Sequence, residues 1–154
     1  MKVIVCGAGQ VGYDIARQLS GEENDVTVID HDTERIRKVS ESLDVQTFQG
    51  FASYPDILDR AGAENADMLI AVTLSDEINM VSCQVAHTLF NVPTKMARVR
   101  HNAYLEPSWR HLFSRDHMPI DVIISPENEV VAAIDRLLEA PGAIDVIGFA
   151  EGRV

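Results

Sequence analysis

The opening run Met1-Lys-Val-Ile-Val-Cys-Gly-Ala-Gly-Gln-Val-Gly12 joins a short apolar stretch directly to glycines at positions 7, 9 and 12. Few local patterns restrict a fold as strongly. Val3 to Cys6 form an unbroken apolar run, which suits a parallel strand covered on both faces. Gly7 permits a sharp turn after that strand, Gly9 lets the backbone approach a pyrophosphate, and Gly12 lets the following helix lie close to the sheet. Phosphate oxygens then meet free N–H groups at a helix N-terminus. Glycines at this spacing also occur in plain strand-to-helix corners, so the flanking sequence has to decide.

Downstream, Val11, Ile15 and Leu19 recur every four residues, with Asp14, Arg17 and Gln18 on the other side, and Ser20-Gly21 closes the pattern. That is an amphipathic helix beginning at the turn. A second apolar run, Val26-Thr-Val-Ile29, ends in Asp30, which places a carboxylate at the tip of the second strand. A carboxylate there can accept both ribose hydroxyls of an adenosine.

The chain has 154 residues, 46% apolar and 24% charged, enough for one well-filled domain and too short for a cofactor domain plus a full substrate domain. Its net charge of -11 argues against general nucleic-acid binding, because a phosphate backbone would be repelled. The apolar run Met68–Val72 is far shorter than the roughly 20 residues of a helical membrane span, and the N-terminus has no signal-peptide pattern. The two cysteines, Cys6 and Cys83, lack a C-x-x-C spacing and read as buried thiols in a reducing cytoplasm.

The remaining chain alternates strands and helices. Asp32 or Thr33 can cap a helix containing Ile36, Val39 and Leu43, and Val45 to Phe48 reads as a third strand. Ser53 can cap a short helix with Pro55 in its first turn and Gly62 beyond its end. Ala66 to Thr73 holds a fourth strand, Asp76 to Phe90 a long helix stopped by Asn91-Val-Pro93, and Lys95 to Arg100 a fifth strand. Trp109 to Phe113 reads as a short helix, Val122 to Ile124 as a sixth strand, and Glu127 to Glu139 as a last helix ended by Pro141-Gly142. The fold class is therefore α/β: a three-layer, doubly wound parallel sheet of about six strands in Rossmann order. A ligand of such a sheet lies beyond the strand C-terminal ends, at the switch point.

Several separate motifs, in order, resemble one family. They are Val-Ile-Val-Cys-Gly-Ala-Gly-Gln-Val-Gly, Val-Ile-Asp-His-Asp, Gln-Gly-Phe-Ala-Ser, Ala-Asp-Met-Leu-Ile-Ala-Val-Thr-Leu-Ser-Asp-Glu-Ile-Asn-Met, Met-Ala-Arg-Val-Arg and Ile-Ile-Ser-Pro-Glu. Over residues 1 to 140 the chain resembles the KTN, or RCK-N, nucleotide-binding domains of the peripheral regulatory subunits of bacterial Trk potassium uptake systems. The resemblance implies a pyrophosphate loop at Gly7, Ala8, Gly9, Gln10, Val11 and Gly12 and a ribose site at Asp30, with His31 beside it. It implies an adenine-side segment at Phe51, Ala52 and Ser53, and a segment along the far half of the ligand at Thr73 and Leu74. Arg98 matches a basic residue directed at the ligand phosphates, a role a guanidinium suits. Position 51 departs from the pattern, since relatives often carry a polar residue there.

A nucleotide domain can also serve catalysis. Hydride transfer needs a substrate pocket and usually an acid or base, yet Tyr13, Tyr54 and Tyr104 have no lysine four residues on. The histidines 31, 87, 101, 111 and 117 are scattered, without metal-ligand spacing. Asp76 and Glu77 sit at a helix start, where capping and the helix dipole explain them. The expected function is thus regulatory rather than enzymatic, with an NAD-dependent oxidoreductase as the alternative. The resemblance implies NAD or NADH as ligand, a potassium-translocating membrane subunit as partner, a dimer or tetrameric ring, and a cytoplasmic location peripheral to the membrane. ATP and ADP present the same ribose diol to Asp30 and stay open, while NADP is disfavoured by the carboxylate. Residues 141–154, with the alternating pattern of Ala143 to Val154, are expected to begin a connection to a second domain.

Overall fold

The computed structural model describes residues 1–124 of the chain. Six strands form one parallel sheet: β1 (Lys2–Cys6), β2 (Asp25–Asp30), β3 (Gln46–Gln49), β4 (Met68–Ala71), β5 (Thr94–Arg98) and β6 (Val122–Ile124). Their order is β3-β2-β1-β4-β5-β6, the expected Rossmann arrangement. Four α-helices connect them: α1 (Gln10–Ser20), α2 (Thr33–Ser42), α3 (Pro55–Arg60) and α4 (Asp76–Phe90). The last helix and the terminal strand read from the sequence lie outside the described residues.

Strand alternation sorts the core into two layers. Val3, Val5, Val26, Val28, Met68 and Ile70 point to the face covered by α1 and α2, where they meet Ile15, Leu19 and Val39. Ile4, Cys6, Ile29, Leu69 and Ala71 point to the other face and meet Ile57 and Leu58 of α3 and Met80, Cys83 and Ala86 of α4. Helices on both faces explain why the central strands read as continuous apolar runs rather than alternating ones.

Between β5 and β6 the described chain forms two 3-10 turns, Asn102–Leu105 and Pro107–Leu112. The second is the short helix expected over Trp109 to Phe113, of 3-10 type and beginning at Pro107. The only tryptophan of the chain, Trp109, is left exposed on it. The excursion is tied back to the sheet by Asp121. Its Oδ2 accepts the Lys95 backbone N–H at 2.7 Å and lies 3.4 Å from the wholly buried Lys95 Nζ, while its Oδ1 lies 3.3 Å from Arg115. Lys95 Nζ also donates to the Val92 carbonyl at 2.8 Å, so the buried ammonium is both paired and hydrogen-bonded.

Strand register sets the position of the site. Cys6 is level with Ile29 and Ala71, Asp30 with Gln49, and Ala71 with Ala97. The strands therefore end along one edge, and the residues just past those ends share a crevice where the chain order reverses at β1.

Candidate nucleotide-binding site

A cleft of about 320 Å³ opens at that edge. Gly7, Gly9, Gln10, Val11, Asp30, His31, Phe51, Ala52, Thr73, Leu74 and Arg98 line it, together with Ile29, Arg35, Gly50, Val72, Ser75 and Ile78. Of the residues expected there, Ala8, Gly12 and Ser53 do not face the opening. Gly12 lies inside the first turn of α1 against the backbone of Gly7, and Ala8 braces the carboxylate of Asp30.

Gly7 turns the chain at φ +110°, a conformation side chains rarely adopt, and donates its N–H to the Ile29 carbonyl at 2.7 Å. Gly9 then caps α1 in an extended conformation. A Cβ built on Gly9 meets nothing within 4 Å, so the backbone there faces open space. This is a cradle in which a phosphate group can approach the N-terminus of a helix.

Asp30 is almost fully buried at the floor of the cleft. Its Oδ2 accepts the Ala8 N–H at 2.7 Å and its Oδ1 accepts the Asp32 N–H at 2.8 Å. Each oxygen keeps a second lone pair, so the carboxylate can still accept two hydroxyls. His31 Nδ1 and Arg35 stand 3.7 and 3.9 Å from its two oxygens. Asp32 caps α2, as expected, by accepting the N–H groups of Glu34 and Arg35. The His31 ring stacks on Phe51, with centroids 4.7 Å apart and planes 8° from parallel, and Tyr54 lies tilted against Phe51 at 5.4 Å. Tyr54, not Ser53, is the N-cap of α3, since Pro55 occupies the first helical position and fixes the residue before it in extended conformation.

The opposite wall is made by the loop after β4 and the end of β5. Thr73 is held by Asn79, and Arg98 is buried at the strand end. Ser75 caps α4 through the N–H of Ile78. Asp76 does more than favour the helix dipole: its carboxylate accepts the N–H groups of Arg100 and His101 at 3.0 and 2.9 Å, and Glu77 accepts the Tyr104 hydroxyl at 2.9 Å. The last contact raises the Tyr104 pKa, first through that hydrogen bond. Among the described residues no group of three or more metal-ligating side chains comes together, and no helix is long and apolar enough to cross a membrane.

The family model described as the TrkA-N domain matches residues 3–126. The chain belongs to the TrkA-N family. As a TrkA-N domain it is 58% identical, over its whole length, to the Trk system potassium uptake protein TrkA of Azorhizobium caulinodans, and 54% identical to that of Halomonas elongata. It covers 34% and 33% of those proteins, so the chain spans about a third of the length of the curated relatives it matches. Among solved structures, this TrkA-N fold superposes on the TrkA-N domain of inner membrane protein ybaL from Escherichia coli with a TM-score of 0.69, at 18% identity, over 89% of this chain and 96% of that one. It also matches the Shewanella denitrificans Kef CTD in AMP-bound form (TM-score 0.65, 21% identity, 98% and 87% covered) and the GsuK channel bound to NAD (0.66, 16%, 86% and 22%). These likenesses show a shared fold.

Proposed function

We propose that this TrkA-N domain is a regulatory nucleotide sensor that binds NAD or NADH in the cleft, and that its occupancy controls a potassium-translocating membrane subunit. The observation that carries the reading is the pairing of two features across one opening: the unobstructed backbone at Gly9 and the buried Asp30 carboxylate with a lone pair left on each oxygen. The two suit the pyrophosphate and the ribose diol of an adenosine nucleotide. Gly7, Gly9, Gln10 and Val11 would cradle the phosphates, and the His31–Phe51 stack would flank the adenine. Thr73 and Leu74 would meet the far half of the ligand, and Arg98 its phosphates.

Nucleotides bound by proteins of this fold include the AMP of the Kef domain and the NAD of the GsuK channel. Both present the same diol, so Asp30 serves either, and ATP or ADP equally. Regulation requires that the ligand bind two conformations with different affinity. The sites where it would do so are the loop at 73–79 and the neighbouring subunit of a dimer or ring, with residues 1–140 as the sensing domain on the cytoplasmic face of the membrane. A sensing role in place of hydride transfer is supported by the relatives, which carry the names of potassium uptake proteins.

Calorimetry against NAD, NADH, ADP, ATP and NADPH, with Asp30→Ala as the control, tests the reading. Binding of NAD or NADH, weaker binding of NADPH, and loss of affinity in the variant are expected. Unchanged affinity in Asp30→Ala refutes the ribose assignment.

A further inference from the structure

Asn79 lies in the first turns of α4 with no exposed surface, and its side-chain amide bonds entirely outside the helix. Its Oδ1 accepts the Thr73 N–H at 2.9 Å and the Thr73 hydroxyl at 2.6 Å. Its Nδ2 donates to the Thr73 carbonyl at 3.1 Å and to the Arg98 carbonyl at 2.8 Å. An amide side chain offers two donors and two acceptor lone pairs, and all four are used. The Thr73 N–H fixes which end is oxygen and the Arg98 carbonyl fixes which end is nitrogen, so the orientation follows from the network itself.

No capacity remains with which Asn79 could bind a ligand. What it does instead is join the chain just after β4 to the end of β5, the two backbones that form one wall of the cleft. Thr73 and Arg98 both line that wall. Asp30, His31 and Phe51 lie on the β2 and β3 side of the switch point, and none of the four bonds reaches them. The support is therefore one-sided.

We infer that Asn79 is a positioning residue for the β4–β5 half of the nucleotide site, one that selects ligands extending beyond the adenosine half. This rests on the nucleotide-binding reading above. A dinucleotide spans both halves and needs Thr73 and Arg98 held at a fixed separation. A mononucleotide such as AMP ends before Thr73, so it does not depend on that separation.

The test measures NAD and AMP affinities by calorimetry for the 154-residue protein and for Asn79→Ala and Asn79→Ser, with thermal unfolding recorded without nucleotide. In either variant NAD affinity is expected to fall about tenfold or more, the scale of losing hydrogen bonds between buried groups, while AMP affinity stays within about twofold. Parallel loss of both ligands marks a merely structural role and overturns the inference, as does unchanged NAD affinity. Should both variants fail to fold, amide exchange at Thr73 in the unaltered protein reads the same asymmetry: slowed by NAD and unchanged by AMP supports the inference, and equal slowing overturns it. A wild-type protein that binds neither ligand overturns the nucleotide-binding reading itself, a result distinct from parallel loss in the variants.

Discussion

A Cβ at Gly12 would stand 1.8 Å from the carbonyl oxygen of Gly7, a separation no side chain survives. The first turn of α1 can rest on the end of β1 only because position 12 carries no side chain. Gly12→Ala is therefore expected to damage the fold, with a loss of about 1–3 kcal/mol or more from overpacking, seen as a lower denaturation midpoint without any ligand. Gly9→Ala is the contrast, because its Cβ enters open space. That variant should unfold at nearly the wild-type midpoint yet bind nucleotide weakly. Equal effects of the two substitutions on stability would contradict this division of roles.

Asp30 has a structural duty beside its proposed ligand duty. Asp30→Ala strands the buried N–H of Ala8 and the N–H of Asp32. Leaving such a donor unsatisfied costs about 1–3 kcal/mol, so urea denaturation of the ligand-free variant should show a loss of that order. A variant as stable as wild type would show that water replaces the carboxylate at no net cost.

Phe51 is partly exposed and already stacked on His31. Phe51→Ala should weaken NAD, ADP and AMP by similar factors, within the ~1–3 kcal/mol of one base–aromatic stack. Selective weakening of one of the three, measured by competition, would place the adenine elsewhere.

His87 on α4 is held below its ordinary value of 6.5, first by burial and then by the positive charges of Lys95 and Arg115, with Asp121 opposing. The unfolded chain consequently takes up this proton at higher pH than the folded one. The stability linked to His87 is complete above pH 6.5 and is lost as pH falls from there toward the folded value. Denaturation midpoints from pH 7.5 to 5.5 should drop less steeply in His87→Gln than in wild type, and identical slopes would remove the assignment.

Burial pushes the Cys83 thiol up to about 12, with Lys95 pulling down and Asp121 pushing up, and burial raises Cys6 as well. Thiolate is the reactive form, so an alkylating reagent at pH 8 should label neither cysteine faster than the protein unfolds. The folded state also loses stability as pH rises above 9, where the unfolded thiol ionises and the folded one does not. Rapid labelling under native conditions would mean that the α4 face opens locally.

Much of this architecture was legible because it depends on local chemistry. The glycine turn, the aspartate cap of α2 and the stop at Asn91, which adopts the left-handed conformation at φ 54°, are readable from residue type and spacing. The misread cap of α3 shows where that logic ends: a hydroxyl at Ser53 favours a cap, but the backbone restriction imposed by Pro55 moves it to Tyr54. The partners of Asn79 and Asp76 were hidden for another reason. They lie up to 25 residues away, and only the adjacency of β4 and β5 brings them within reach. The place of Arg35 in the cleft wall, 3.9 Å from Asp30, likewise follows from the tertiary fold, which sets the first turn of α2 beside the end of β2.

No phenylalanine, tyrosine or tryptophan is among the fully buried apolar side chains of the described residues, where valine, isoleucine, leucine, methionine and alanine fill both layers. The fully buried interior of the described residues is thus optically quiet, while Trp109 stands exposed outside it. Emission from Trp109 reports on whatever touches the turn between β5 and β6, and tells little about the melting of the sheet. The far-ultraviolet signal of the backbone follows unfolding, leaving the indole as a built-in surface probe that needs no label.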